Sequence, residues 1–214
     1  MPQPAYKYHF MTNNLFQPLH ENCFYHIYNR GNNGDNIFYK HENYNYFLRK
    51  YDQYLSDYLE TYAYSLLPNH FHLLVRVKDK VQPIKTGTKT YLEADKILSE
   101  AFRRFFTSYA KSINEQQGRT GSLFQKNFKR KLVDSEVYFT QLIYYIHANA
   151  QNHGIIDDFK LYPYSSYGRI LLDTQSKLFK KEVLEWFGSK DAYIDYHAQK
   201  HKLNDIRDIM IEEL

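Results

Sequence analysis

Residues 61–77 constrain the fold of this chain most. Thr61–Leu67 and Phe71–Val77 are two β-rich, largely apolar runs, and only Pro68, Asn69 and His70 stand between them. Pro presets φ for a turn and Asn tolerates the conformations that follow it, so the runs are expected to close as a tight hairpin turning at Pro68-Asn69. A strand alternates its side chains between two faces, which puts His70 and His72 on one face and turns Phe71 toward the core. Two imidazoles on one strand face make half of a metal site. The plainer alternative is a pair of satisfied structural histidines, and a second cluster must decide between the two.

That cluster is Tyr144-Tyr145-Ile146-His147-Ala148-Asn149. Val137, Leu142, Ile143 and Ile146 recur at helical spacing with no Gly or Pro among them, and Asp134-Ser135-Glu136 supplies a capped start. On such a helix Tyr145 and Asn149 are i,i+4 neighbours on one face. Tyr144 is rotated about 100° away from Tyr145, and His147 lies roughly opposite it. A phenol beside an amide oxygen offers a nucleophile and a ligand for a hard metal ion. Any single Tyr among 22 is weak evidence, so Tyr145 takes this role only through its pairing with Asn149 and the two upstream histidines.

Five segments in order complete the pattern: Tyr25-His26-Ile27-Tyr28-Asn29-Arg30-Gly31-Asn32-Asn33, Pro68-Asn69-His70-Phe71-His72-Leu73-Leu74-Val75, Gly121-Ser122-Leu123-Phe124-Gln125-Lys126-Asn127-Phe128, Tyr145-Ile146-His147-Ala148-Asn149 and Tyr162-Pro163-Tyr164-Ser165-Ser166-Tyr167. Spanning most of residues 22–170, they resemble the HUH single-strand transposases of the IS200/IS605 type, above all the REP-associated tyrosine transposases. The resemblance implies a divalent metal at His70, His72 and Asn149, and attack on DNA by Tyr145. It also implies single-stranded, hairpin-bearing DNA as partner, and it leaves a homodimer open, since minimal relatives pair while REP-associated ones can act alone. The family usually has Pro where this chain has Ala150 and commonly Trp where it has Phe124; neither change removes a reacting group.

The implied chemistry is physically coherent. A tyrosine phenol has a pKa of about 10 and is a poor nucleophile at neutral pH. A cation held by two imidazoles and an amide oxygen keeps positions open for the phosphate oxygens on which charge accumulates. Mixed nitrogen and oxygen ligands without thiolate favour Mg²⁺ or Mn²⁺ over structural zinc. Attack would give a covalent 5′-phosphotyrosine and a free 3′-hydroxyl, and no nucleotide cofactor is needed, in keeping with the absence of a Gly-rich phosphate loop. Two other readings stay open: a non-catalytic DNA-binding or regulatory protein that keeps the fold, and, ranked last, a two-histidine phosphoesterase, which would want a second His-containing motif.

Charge is uneven along the chain. Residues 101–134 carry Arg103, Arg104, Lys111, Arg119, Lys126, Lys129, Arg130 and Lys131 against only Glu115 and Asp134, whereas residues 181–214 are net acidic. A basic stripe broken by Phe105, Phe106, Phe124 and Phe128 suits a nucleic-acid groove, with cations on phosphates and rings on unpaired bases. Arg103, Arg104, Lys126, Lys129, Arg130 and Lys131 are the DNA-binding candidates, the cluster 126–131 ahead of the arginine pair, whose plainer alternative is a solvated helix face; most of the Phe residues are expected in the core.

The layout points to an α+β, ferredoxin-like β-α-β-β-α-β antiparallel sheet with an added helix carrying Tyr145. Expected strands are 22–30, 61–67, 70–78 and 123–133, with helices near 41–59, 92–114 and 135–150. Residues 79–91 read as a mobile loop, and Gly31–Gly34 as a turn, with a DNA-reading loop as the alternative. His26, Asn29 and Arg30 are strand residues by default and line the active site by resemblance. A catalytic domain over 1–172 and a helical extension over 173–214 are expected, in which Trp186 and Phe187 either dock on the core or face a partner. The single cysteine, Cys23, the lack of a signal-like start and the lack of an apolar run of about 20 residues point to a cytoplasmic protein without a membrane partner, and the resemblance implies a bacterial-type, nucleoid-associated one.

Overall fold

The computed structural model describes residues 15–199. In chain order these form β1 (Phe24–Arg30), α1 (His41–Leu55), β2 (Leu59–Leu67), β3 (His70–Val77), β4 (Ile84–Thr86), β5 (Lys89–Tyr91), α2 (Ala94–Gln117), β6 (Lys129–Val133), α3 (Glu136–Asn152), α4 (Tyr167–Leu171), α5 (Lys180–Phe187) and α6 (Lys190–Ala198). Strands β2, β3, β1 and β6 lie side by side in that order, every neighbouring pair antiparallel. This is the ferredoxin-like arrangement, with α3 added after it. None of the described helices is long and apolar enough to cross a membrane.

Local chemistry sets the boundaries. Pro68 and Asn69 make the two-residue turn between β2 and β3, and Leu67 pairs with His70 directly across it. The Ser135 hydroxyl accepts the Tyr138 N–H at 3.2 Å and caps α3. Helix α2 runs three residues beyond its expected end and stops at Gly118, whose φ of 61° is the left-handed conformation that closes a helix. The last strand is shorter than expected because Asn127 has φ 63° and breaks the extended run before Lys129. Gly31 is demanded by space: a Cβ there would lie 1.8 Å from the Asp35 carbonyl oxygen. That close approach folds the 31–34 turn against the hairpin turn, where Gly31 N–H donates to Asn69 O at 2.7 Å.

Residues 79–91 are not the loop that their Lys, Thr and Gly content suggests. They contain the hairpin β4–β5, turning at Gly87 with φ 59°. Buried Ile84 anchors it, and side chains of α2 hold it: Thr86 donates to Glu100 at 2.8 Å and Arg104 to the Lys85 carbonyl at 2.6 Å. Three-residue strands carry too little periodicity to be seen in sequence.

The sheet divides the molecule into two layers. Tyr25, Ile27, Phe71, Leu73, Val75, Tyr64 and Leu66 point to one side and pack under α1 and α2. Phe24, Leu74, Ala63 and Val133 point to the other, where α3 lies. The chain after 172 docks in this second layer: Val183 of α5 and Tyr193 of α6 are fully buried there, and Trp186 stacks on Phe139 at 4.5 Å. Helix α3 is thereby enclosed between the sheet and the last three helices.

Phe71 is the hinge of the two-layer arrangement, since it faces the first core while its two neighbours face the second. It is fully buried and its ring lies 5.1 Å from that of Phe47. Truncation should leave a cavity that this interlocked aromatic cluster cannot close. Phe71→Ala is expected to cost about 3–5 kcal/mol in chemical denaturation, with the slope of the transition unchanged.

Candidate functional site

The register of β1, β3 and β6 sets out the site in rows. His70 is opposite Arg30; His72 is opposite Tyr28, which is opposite Lys129; His26 is opposite Leu74 on one side and Lys131 on the other. Directly opposed residues of an antiparallel pair share a face. The face toward α3 therefore carries three histidines, a tyrosine, two arginines (Arg30 and Arg76) and two lysines among its apolar residues.

His70 sits between two amides. Its Nδ1 is 2.7 Å from Asn69 Oδ1, and its Nε2 is 3.0 Å from Asn149 Oδ1, reaching across to α3. A neutral imidazole has one proton to give, and here both ring nitrogens face amide oxygens, which only accept. An imidazolium proton, an amide turned end for end or a metal cation each satisfies the second contact. The donor set of two imidazoles and an amide oxygen fits the divalent ion that the sequence suggests. At His72, Nδ1 contacts His26 Nε2 at 2.9 Å, so Nε2 is the ring nitrogen that would take a cation.

Tyr145 and Asn149 both face the sheet, as their i,i+4 spacing requires, and both are fully buried. The Tyr145 ring stands edge-on to His72 at 5.5 Å and to His26 at 6.1 Å. All four expected reacting or ligating groups are therefore neighbours. Beside them lies a cavity of about 270 Å³ whose wall includes Tyr28, Arg30, His70, His72, Lys129 and His153, but not Tyr145. His153, one turn beyond Asn149, lies against His70 with ring centres 4.8 Å apart. On the opposite side of α3, His147 contacts Ser166 Oγ at 2.8 Å and His197 at 2.9 Å. Burial, and then the neighbouring His197, push its pKa well below the ordinary histidine value, so it acts as a neutral tether between α3 and α6.

The six basic candidates are dispersed. Lys129 and Lys131 project on the histidine side, their ammonium groups over the rings of Tyr28 at 5.4 Å and Tyr138 at 5.2 Å. Arg130, between them, points to the other face, where it donates to the Gln17 carbonyl at 2.6 Å and pairs with Asp95 at 3.1 Å. Its partners are structural. Arg103 and Arg104 share one carboxylate, Glu100, at 2.7 and 3.2 Å. Lys126 is exposed in the turn before β6.

Arg30 is the group that sequence reasoning underweighted. Among the described residues no carboxylate lies within 4.0 Å of it, and its buried Nε has no hydrogen-bond partner. Lys129 likewise has no carboxylate partner. Two unneutralised cations on a cavity beside an imidazole pair describe a site for an anion. The signal was available: Arg30 is two residues from Tyr28 and four from His26, hence on the same strand face.

No family model matches the chain. A protein of Haemophilus influenzae named "Putative REP-associated tyrosine transposase" is 26% identical over 137 residues, which are 63% of this chain and 70% of that protein. Among solved structures, that of a REP-associated tyrosine transposase bound to a REP hairpin superposes with a TM-score of 0.55 at 15% identity, covering 72% of this chain and 82% of the other. The resemblance drawn from motifs is thus matched by overall sequence similarity to one tyrosine transposase and by the fold of another.

Glu100 permits a test of how the arginine pair is held. The Arg103 guanidinium lowers the pKa of this buried carboxyl to about 2, with Thr86 and Arg104 adding to the effect and burial opposing it. A depressed folded-state pKa means that the stabilisation is complete above the unfolded value, about 4.3, and is lost as the pH falls toward 2. Because Arg103 is more than half exposed, solvent screening reduces the gain to about 1–2 kcal/mol. Glu100→Gln should be less stable than the parent by that amount at pH 7, and the two denaturation midpoints should converge between pH 4.3 and 2.

Proposed function

We propose that the chain is a metal-dependent transposase that cuts and rejoins single-stranded, hairpin-bearing DNA through a covalent 5′-phosphotyrosine on Tyr145. One observation carries this reading: His70 of β3 reaches Asn149 Oδ1 of α3 at 3.0 Å and the Tyr145 ring lies 5.5 Å from that of His72, so two imidazoles, an amide oxygen and a phenol share one site. Similarity to a tyrosine transposase, and a fold shared with one bound to a REP hairpin, support the same class of substrate.

A divalent ion, Mg²⁺ or Mn²⁺, bound by His70, His72 and Asn149 would supply positive charge to the phosphate oxygens in the transition state. The rest falls to the chain. Arg30 and Lys129, without carboxylate partners among the described residues, hold the backbone phosphate in the cavity. Asn69 orients the His70 ring through its 2.7 Å contact with Nδ1. Tyr145 Oη forms a bond to phosphorus as the bond to the 3′ oxygen breaks; the phenol loses its proton and the departing 3′ oxygen gains one. One phosphodiester replaces another, so the step reverses when a 3′-hydroxyl attacks the tyrosyl phosphate.

Tyr145 is entirely enclosed, so the phenol must emerge from between His72 and α3 before it meets phosphorus. DNA engagement and nucleophile exposure are therefore linked. The same enclosure favours the second reading, a DNA-binding protein that no longer cuts.

Incubation with single-stranded oligonucleotides carrying palindromes, plus Mn²⁺, separates the two. The proposed activity gives a denaturation-resistant protein–DNA conjugate that Tyr145→Phe reduces by about 10³-fold or more while hairpin binding is retained. A conjugate that persists in Tyr145→Phe refutes the assignment of the nucleophile, and intact DNA with every palindrome supports the non-catalytic reading. Arg30→Ala should raise the DNA concentration for half-maximal conjugate by about tenfold, the worth of one charge-assisted hydrogen bond.

A further inference from the structure

We propose that His26 is a positioning residue for the metal site, acting by selecting the tautomer of His72. The inference rests on the metal reading above and goes beyond it, because it assigns a role to a third histidine that binds neither metal nor DNA.

His26 Nε2 and His72 Nδ1 are 2.9 Å apart, and both residues are buried, at 0% and 1% exposure. A single proton serves a contact between two neutral imidazole nitrogens. In one arrangement His72 donates from Nδ1, which leaves its Nε2 as a lone pair able to ligate a cation. In the other, His26 donates from Nε2, and His72 carries its own proton on Nε2, where a cation would have to bind. Only the first arrangement gives a ligand. His26 supports it when its own proton is on Nδ1 and its Nε2 accepts.

Packing holds the pair in this geometry. The His26 and His72 rings are tilted by only 24°, and Tyr28 stacks on both, at 4.7 Å from His26 and 5.6 Å from His72. Lys129 covers the Tyr28 ring at 5.4 Å. Neither imidazole can turn over without displacing Tyr28. His70 has a matching outer partner, with Asn69 Oδ1 at 2.7 Å from its Nδ1. Each proposed histidine ligand thus has its own outer acceptor, an amide for His70 and an imidazole for His72. Such outer partners fix ring orientation and typically change metal affinity by about 10–100-fold when removed.

The test uses the full chain and Mn²⁺ as the probe, with binding read by electron paramagnetic resonance of the free ion, with and without a hairpin-bearing oligonucleotide. His26→Phe keeps an aromatic ring and removes the acceptor; it should weaken Mn²⁺ binding by about 10–100-fold. His26→Gln, whose amide oxygen extends about as far as Nε2, should recover most of that loss. Nitrogen-15 spectra of the Mg²⁺-loaded parent should show His72 protonated at Nδ1. Should His26→Phe fail to fold by circular dichroism, His26→Asn replaces it: its shorter amide cannot reach His72, so it should bind weakly where Gln binds well. The inference is overturned if the acceptor-free variant, folded, binds Mn²⁺ like the parent, if Gln gives no recovery, or if His72 carries its proton on Nε2 when loaded. A parent chain that binds no Mn²⁺ in either condition instead refutes the metal reading itself, and this inference with it.

Discussion

The period-two alternation of one strand underlies the whole arrangement. Because β3 is a central strand, each of its side chains must enter one of two cores, and Phe71 enters the α1–α2 core while His70 and His72 enter the α3 core. Placing imidazoles in a buried layer is costly unless their nitrogens are satisfied. Here Asn69, Asn149 and His26 supply contacts at 2.7, 3.0 and 2.9 Å. A one-residue slip of β3 would bury Phe71 against Tyr145 and send both histidines beneath α1 and α2. Register and chemistry are therefore the same constraint. The tight turn at Pro68-Asn69, braced by Gly31 through a 2.7 Å bond to Asn69 O, is what fixes that register.

Much of the fold was legible because its elements are long and their signals local. The hairpin, the Ser135 cap and the i,i+4 pair Tyr145/Asn149 each depend on residues a few positions apart, and the sheet layout followed from them. What was illegible depended on partners far along the chain. Lys129, Arg130 and Lys131 form one basic run in sequence, but the strand sends Arg130 to Asp95 and leaves the lysines on the histidine side. Arg103 and Arg104 are a local exception: Glu100, three and four residues earlier on the same helix, holds both, a pairing that helical spacing alone would have shown. The contact of His26 with His72 spans 46 residues and follows only from the pairing of β1 with β3. Hairpin β4–β5 escaped notice for a different reason: what holds it is Thr86 and Lys85 against the side chains of α2, which no local pattern encodes.

Charge at the site is divided by function. Cations with carboxylate partners, such as Arg103, Arg104 and Arg130, lie on or beneath the α2 side and stabilise the fold. Arg30 and Lys129, without such partners, lie beside the imidazoles. A cation is left without a counter-ion near a cavity only at some cost to stability, because like charges there repel until an anion arrives. The proposed phosphodiester would remove that cost, so the same residues that weaken the empty site strengthen the loaded one.

Enclosure of α3 ties the C-terminal helices to the proposed site. Tyr145 and Asn149 occupy one side of α3, and on the other His147 joins Ser166, which also receives the Tyr64 N–H of β2, and His197 of α6. The helix cannot rotate without breaking either the contact with His70 or this buried network. Its rotation is the quantity that matters, since a turn of one residue position, 100°, would carry Asn149 away from the imidazoles. A neutral His147, kept so by burial, accepts and donates at once and so clamps the back of the helix without adding a charge near the proposed cation. Freedom is then left to side chains: Tyr145 can swing toward the cavity while the helix axis, and with it the Asn149 oxygen, stays in place. Residues 180–198, outside the sheet and its motifs, thus bear on the proposed site through the helix they hold rather than through any group they contribute to it.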